Sequence, residues 1–306
     1  MLHITDRQIS KWLHFRGVAT ALEEAFRDLA HGKAAVHSRQ RTQCENERLS
    51  TMGALWPSRS IAGVKVYPTV AGQFSFAILL FDLSTNTPVA VLEGNELTRL
   101  RTAAITAMVA AHAANPAPRK LALFGAGVQG RAQAAALCER FDFDEICIVD
   151  PKTDPVWRET FQAGVRGRVR QVGAEEAVRD AHIVVTATRS SQPVFNGEWL
   201  SPGAFVSAVG TSTPVARELD DIAMSRAARI IVEWKPQCLA EAGELVLWPG
   251  HTEARNIVDL PELMRLNQPW RTNAQDIIVF KSVGVGLSDL ATARLALQHA
   301  RDGVAA

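Results

Sequence analysis

The chain has 306 residues, 47% of them hydrophobic and 21% charged, an ordinary globular composition with length for about two domains. A formal net charge of +1 leaves no overall field to draw it to nucleic acid or an anionic membrane, so a small-molecule partner is expected. No apolar run reaches the about 20 residues of a membrane span. The nearest, Ala103 to Ala114, is short and contains His112, and the start MLHITDRQIS has no signal-like core.

LHIT at the N-terminus reads as a short strand. Thr5 or Asp6 then caps a helix expected to reach about Gly32, with Ile9, Leu13, Leu22, Ala25, Phe26 and Leu29 near helical spacing. From about Ala35 to Leu92 the pattern is β-rich, in GVKVYPT, FSFAILLFDL and PVAVLEG, with turn residues such as STNTP between. Thr98 to Ala114 is an alanine-rich helix, and NPAPRK, Asn115 to Lys120, breaks it at a domain boundary. Strands and helices then alternate: KLALFG, a helix from Val128 to Glu139, EICIVD, a helix from about Asp154 to Ala163, VRQV, AEEAVRD, HIVVTAT, AFVSAVG and ARIIVE. This rhythm predicts an α/β fold with a Rossmann-type doubly wound parallel sheet, its strands apolar throughout because both faces are covered. From Val279 the chain reads as a turn followed by a terminal helix.

Cys44, Cys138, Cys147 and Cys238 form no C-x-x-C pair, and no His/Cys cluster has zinc-ligand spacing, so no metal is expected. Cys138 and Cys147 lie in apolar segments, as buried thiols of a reducing, cytoplasmic compartment do.

The segment LALFGAGVQG places Gly125, Gly127, Val128, Gln129 and Gly130 between a strand and a helix, in G-x-G-x-x-G spacing. Gly125 serves the tight turn, Gly127 lets backbone approach a pyrophosphate, and Gly130 lets helix and strand pack closely. The helix start offers free N–H groups to the phosphates. Twenty residues after Gly130, Asp150 ends a strand, where a carboxylate accepts from ribose hydroxyls and repels a 2′-phosphate. NAD is therefore the expected cofactor, with Lys152 two residues on keeping NADP open. Ahead of the boundary stand Arg39 and Arg41 in HSRQRT, Lys65 in GVKVYP and Arg101 in RTAA. Such residues ordinarily face solvent, but together they could grip a carboxylate.

LEGNELTRLRTAAITAMVAAHAA, LALFGAGVQGRAQAAAL, TATRSSQPVF, AVGTSTPVARELD and VFKSVGVGLSDLATARLAL, in this order, resemble the ornithine cyclodeaminase/μ-crystallin family over essentially the whole chain. The resemblance implies a homodimer. It implies an α/β substrate and dimerisation domain at residues 1–115, completed by a C-terminal helix at 286–306, and a dinucleotide-binding domain at 116–285. Family activities include ornithine or lysine cyclodeamination, amino-acid dehydrogenation and reduction of ketimines such as pyrroline-2-carboxylate, and some members bind ligands without turnover. The resemblance places Lys65, Arg101 and either Arg39 or Arg41 on a substrate carboxylate, Thr188 and Ser190 beside the cofactor, and Val283 and Gly284 behind the nicotinamide. Cyclodeaminases of the family carry an aspartate where this chain has Ser212, and ketimine reductases carry serine. A neutral hydroxyl cannot form the ion pair that an ammonium needs. Reduction of a preformed imine is therefore expected over ornithine cyclodeamination or alanine-type dehydrogenation, unless Asp220, Asp221 or Asp289 supplies the acid.

Overall fold

The computed structural model describes residues 1–252 and 255–304, which form two compact units. The first comprises Met1–Ile105 with the C-terminal segment from Gly284, and the second Thr106–Val283. The sequence reading divided the chain at 115/116 and 285/286.

The first unit opens with β1 (Leu2–Ile4) and α1 (Asp6–Trp12), started by a reciprocal Thr5–Gln8 capping box. The expected single helix to Gly32 is two. Leu13 leaves α1 in extended geometry and is itself buried, and α2 (Phe15–Ala30) restarts with Phe15, Val18, Leu22 and Phe26 turned inward. The strands are β2 (Ala35–Val36), β3 (Gln40–Cys44), β4 (Glu47–Trp56), β5 (Ile61–Val70), β6 (Gln73–Phe74), β7 (Ala77–Asp82) and β8 (Thr87–Glu93). They form one sheet in the order β1-β8-β7-β5-β4-β2, with β3 on β4 and β6 on β5. All pairings are antiparallel except β1 with β8. The C-terminal helix (Gly286–Val304) packs against α2, β4 and β5, where Leu287, Leu290 and Ala291 join Trp56, Met52 and Ile78 in the core. The helix α3 (Asn95–Ala113) follows β8.

The second unit contains β9 (Lys120–Phe124), α4 (Val128–Cys138), β10 (Glu145–Val149), α5 (Pro155–Gly164), β11 (Arg168–Gln171), α6 (Ala174–Val178), β12 (Ile183–Thr186) and β13 (Phe205–Ala208). It continues with α7 (Asp221–Arg226), β14 (Ala227–Val232), α8 (Lys235–Glu241), α9 (Gly243–Val246), β15 (Ile257–Asp259), α10 (Leu260–Leu266) and β16 (Ile277–Lys281). All eight strands are parallel, in the order β11-β10-β9-β12-β13-β16-β14-β15. The order reverses beside β9, which opens a crevice at the carboxyl ends of β9 and β12, the usual ligand position in such sheets. One expectation is corrected here: Ile277–Lys281 is an inner strand between β13 and β14, where the sequence read a turn. The glycines after it and the lysine within it masked an apolar run.

Candidate active site

In the first unit, residue alternation along β5 turns Lys65 to the side of the sheet that the C-terminal helix covers, where Thr98 and Arg101 of α3 also reach. Its Nζ donates to Thr98 Oγ1 at 2.6 Å and to Asp289 Oδ1 at 3.0 Å, and lies 4.1 Å from the centre of the Phe76 ring. Arg101 Nε is 3.3 Å from the same Asp289 oxygen. The Lys65 and Asp289 side chains are 1% and 2% exposed, so this pair is effectively out of water. Arg39 completes the cluster. It is buried, donates from Nη2 to the Gly284 carbonyl at 3.1 Å, and acts electrostatically on both Lys65 and Asp289. Arg41 is half-buried on β3 opposite Ser50, two residues after the Arg39 that neighbours Lys65 and Asp289.

Lys65, Arg101 and Arg39 thus lie around the Asp289 carboxylate, and donors of this kind also suit a carboxylate ligand. Burial pushes the Lys65 pKa down to about 8, opposed by Asp289 and reinforced by Arg101 and Arg39. Burial alone would raise that of Asp289, but Lys65, Arg101 and Arg39 outweigh it and hold the carboxyl below its ordinary value. Gly284 belongs here for steric reasons. It adopts φ +75°, and a Cβ on it would sit 2.6 Å from the Arg101 guanidinium.

In the second unit, Gly125 turns the chain after β9 with φ +86°, and Gly127 is the N-cap of α4. A Cβ on Gly130 would stand 1.8 Å from the Gly125 carbonyl, so helix and strand close only over glycine. A Cβ on Gly127 would meet nothing within 4 Å. That open space at a helix N-terminus fits a phosphate group. Val128 is exposed and Gln129 half-buried in the first turn of α4. Asp150 follows β10. Its Oδ2 accepts from Ala126 N at 2.7 Å and its Oδ1 from Lys152 N at 2.8 Å, so the carboxylate is oriented and each oxygen keeps a further lone pair. The residues present fit a dinucleotide with unphosphorylated ribose.

The loops after β12 and β13 are fastened from beneath by charged groups that sequence reasoning missed. Buried Glu218 accepts from Thr186 Oγ1, from Thr188 N and Oγ1, and from Gly210 N, at 2.6–2.9 Å. Burial raises its pKa, with Lys281 and Thr188 opposing. Lys281 donates to the Thr211 carbonyl at 2.8 Å and pairs with Glu244 at 2.9 Å, both side chains fully buried. Ser190 N donates to Thr188 Oγ1, and half-buried Ser212 follows the anchored Thr211. Glu233 accepts from Ser282 Oγ and Val283 N, which fixes the backbone after β16. The one signal in the sequence was a lysine inside an apolar run, Lys281 in IIVFK. Of the three acids weighed as substitutes for an aspartate at 212, Asp220 caps α7 through Ala223 N and Asp221 pairs with Arg217. Asp289 alone of the three lies with the basic residues. Among the described residues no group of His, Cys, Asp and Glu could hold a metal ion.

The model of the ornithine cyclodeaminase/mu-crystallin family matches residues 4–303. The chain belongs to this family. It is 34% identical over 228 residues to ketimine reductase mu-crystallin of Mus musculus, an overlap of 74% of this chain and 70% of that protein. Two solved structures of similar fold are a probable ornithine cyclodeaminase from Bordetella pertussis Tohama I and the Thermococcus litoralis Delta(1)-pyrroline-2-carboxylate reductase in complex with NADH and L-proline. The first has TM-score 0.95 and 42% identity, covering 99% of this chain and 98% of that one. The second has TM-score 0.91 and 28% identity, with the same coverage.

Proposed function

We propose that this family member is an NAD(P)-dependent reductase of a small cyclic ketimine or 2-imino acid of the pyrroline-2-carboxylate type, working as a homodimer in the cytoplasm. The observation that carries the reading is the cluster of Arg39, Lys65 and Arg101 around Asp289, walled by the Phe76 ring. Its cationic donors suit a carboxylate, and the aromatic wall suits an apolar ring beside it. The likeness to proteins named ketimine reductase and pyrroline-2-carboxylate reductase supports it. NAD is supported by Asp150, whose charge opposes a 2′-phosphate, and by the neighbour solved with NADH.

Gly125, Gly127, Val128, Gln129 and Gly130 would hold the pyrophosphate, Asp150 the ribose, and Thr188, Ser190, Val283 and Gly284 the remainder of the cofactor. When bound, the reduced nicotinamide supplies the hydride for the imine carbon. Lys65, Arg39 and Arg101 hold the substrate carboxylate, which fixes which carbon is presented. Ser212 orients the imine nitrogen, which receives the C=N π pair and one proton from solvent as the amine forms. Asp289, held ionised by its neighbours, is a poor proton acceptor.

The four cysteines are free thiols, which supports a reducing compartment, and no described helix is long and apolar enough to cross a membrane. Leu49, Leu55 and Val70, each about half exposed and on one face of the paired strands β4 and β5, support an apolar contact between copies.

A second reading, ornithine cyclodeamination, is favoured by the neighbour described as a probable ornithine cyclodeaminase. One experiment separates the two. The purified protein is assayed for oxidation of NADH and NADPH with pyrroline-2-carboxylate and piperideine-2-carboxylate, and in parallel for release of proline and ammonia from ornithine. Turnover of the cyclic imines alone is expected. Proline and ammonia from ornithine would overturn the reductase reading and the weight placed on Ser212.

A further inference from the structure

The Lys65 ammonium is held by two acceptors of different kind. Thr98 Oγ1 donates its own proton to the Gly94 carbonyl at 2.5 Å, so toward Lys65 it acts as a neutral acceptor. Asp289 Oδ1 is the charged one, and it is shared with Arg101. The third side is the Phe76 ring, packed against the Tyr67 ring at 4.9 Å. Among the described residues, the charged and titratable groups that act most strongly on Lys65 or lie beside it are Asp289 from the C-terminal helix, Arg101 from α3, Arg39 ahead of β3, and Tyr67 on its own strand. Of these Asp289 favours the ammonium by its charge, against two guanidinium groups and burial, and about 8 is the balance of all four.

We propose that Asp289 is a positioning residue that keeps Lys65 charged and aimed, so that the site accepts a substrate carboxylate only while the Lys65–Asp289 pair holds its proton. The inference rests on the carboxylate-site reading above and adds to it a built-in alkaline limit. Without the carboxylate, Lys65 would face burial and two like charges with only a hydroxyl acceptor and an aromatic face, and would lose its proton to solvent at lower pH. The midpoint for wild type is expected at about 8, the balance of burial and the guanidinium groups against Asp289.

The test uses pyrrole-2-carboxylate, a planar ring carboxylate that does not accept hydride, titrated calorimetrically with and without NAD over about pH 6 to 10. For the wild-type protein, affinity is expected to fall about tenfold per pH unit above the midpoint. In Asp289→Asn the midpoint moves down by about one to three units. In Lys65→Arg the fall disappears, because a guanidinium does not titrate in this range. Asp289→Glu, which keeps the charge, restores the midpoint toward wild type. If Asp289→Asn does not fold, Thr98→Val reads the same point: it removes the neutral acceptor and leaves the midpoint in place if the carboxylate sets it. A drop there of a full unit or more overturns the assignment. Binding with the same midpoint in wild type and Asp289→Asn overturns the role of Asp289 alone. No binding by wild type at any pH, with or without NAD, overturns the carboxylate-site reading as well.

Discussion

Lys65 is a lysine that the fold desolvates and then sets beside one carboxylate and two guanidinium groups. A contact of this kind to a charged ligand contributes about 1.5–3 kcal/mol, so Lys65→Ala should lose about ten- to a hundred-fold or more in kcat/KM for the imine. Its NADH affinity should match wild type, as a fluorescence titration would read. Unchanged kcat/KM would remove Lys65 from the site. The same lysine shapes stability. Its pKa is about 8 in the folded protein and near 10.5 in the unfolded chain, so between those values the unfolded chain holds more protons and stability rises with pH. The thiols act in the opposite sense. Burial raises Cys147 to about 11 and Cys238 to about 12, and stability is lost as the unfolded thiols ionise near 9. Urea midpoints of wild type compared with Lys65→Met isolate the lysine: wild type should gain on the variant from about pH 8 to 10.5. A constant gap would mean that Lys65 is hydrated. At this scale the sequence was legible where residue type and motif coincide, as at Lys65 and Arg101. It left Arg39 and Arg41 open, because which of two residues so close in sequence reaches a buried partner such as Gly284 is a matter of tertiary packing. It weighed Asp289 only as one of several acids, since 224 residues separate it from Lys65.

The glycine loop shows how an element can be read from spacing alone. Gly125, Gly127 and Gly130 are all explained, yet for different physical reasons, and substitution should separate them. Gly130→Ala drives a methyl into the Gly125 carbonyl and should destabilise the second unit, lowering the melting temperature with or without cofactor. Gly127→Ala meets nothing in the protein, so its melting temperature should stay close to wild type while NADH affinity falls at least tenfold. Equal NADH affinity in wild type and Gly127→Ala would mean that the pyrophosphate does not approach this backbone. Elements whose signal was mixed were misread. Lys281 and the glycines after it hid β16, and the break between α1 and α2 follows from Leu13 turning into the core, which helical spacing does not encode.

At the scale of the whole chain, alternating strands and helices with short connections were sufficient to foresee the parallel sheet, because right-handed crossovers permit few other arrangements. Residues 235–266 were not legible: their helices are of four to seven residues and β15 has three, too short for periodicity to register. Sedimentation equilibrium should give twice the chain mass, and Leu49→Lys with Val70→Lys should shift it toward one. An unchanged dimer in that variant would place the contact elsewhere. The discontinuity of the first unit has a further consequence. The C-terminal helix, which carries Asp289 and covers β4 and β5, follows the entire parallel sheet in sequence. During synthesis the second unit can therefore close its core first, while the antiparallel sheet waits on the ribosome with one face bare. A chain released before Gly286 would keep that face open, with Met52, Trp56 and Ile78 on offer to chaperones or to other nascent chains, and would lack the carboxylate that holds Lys65.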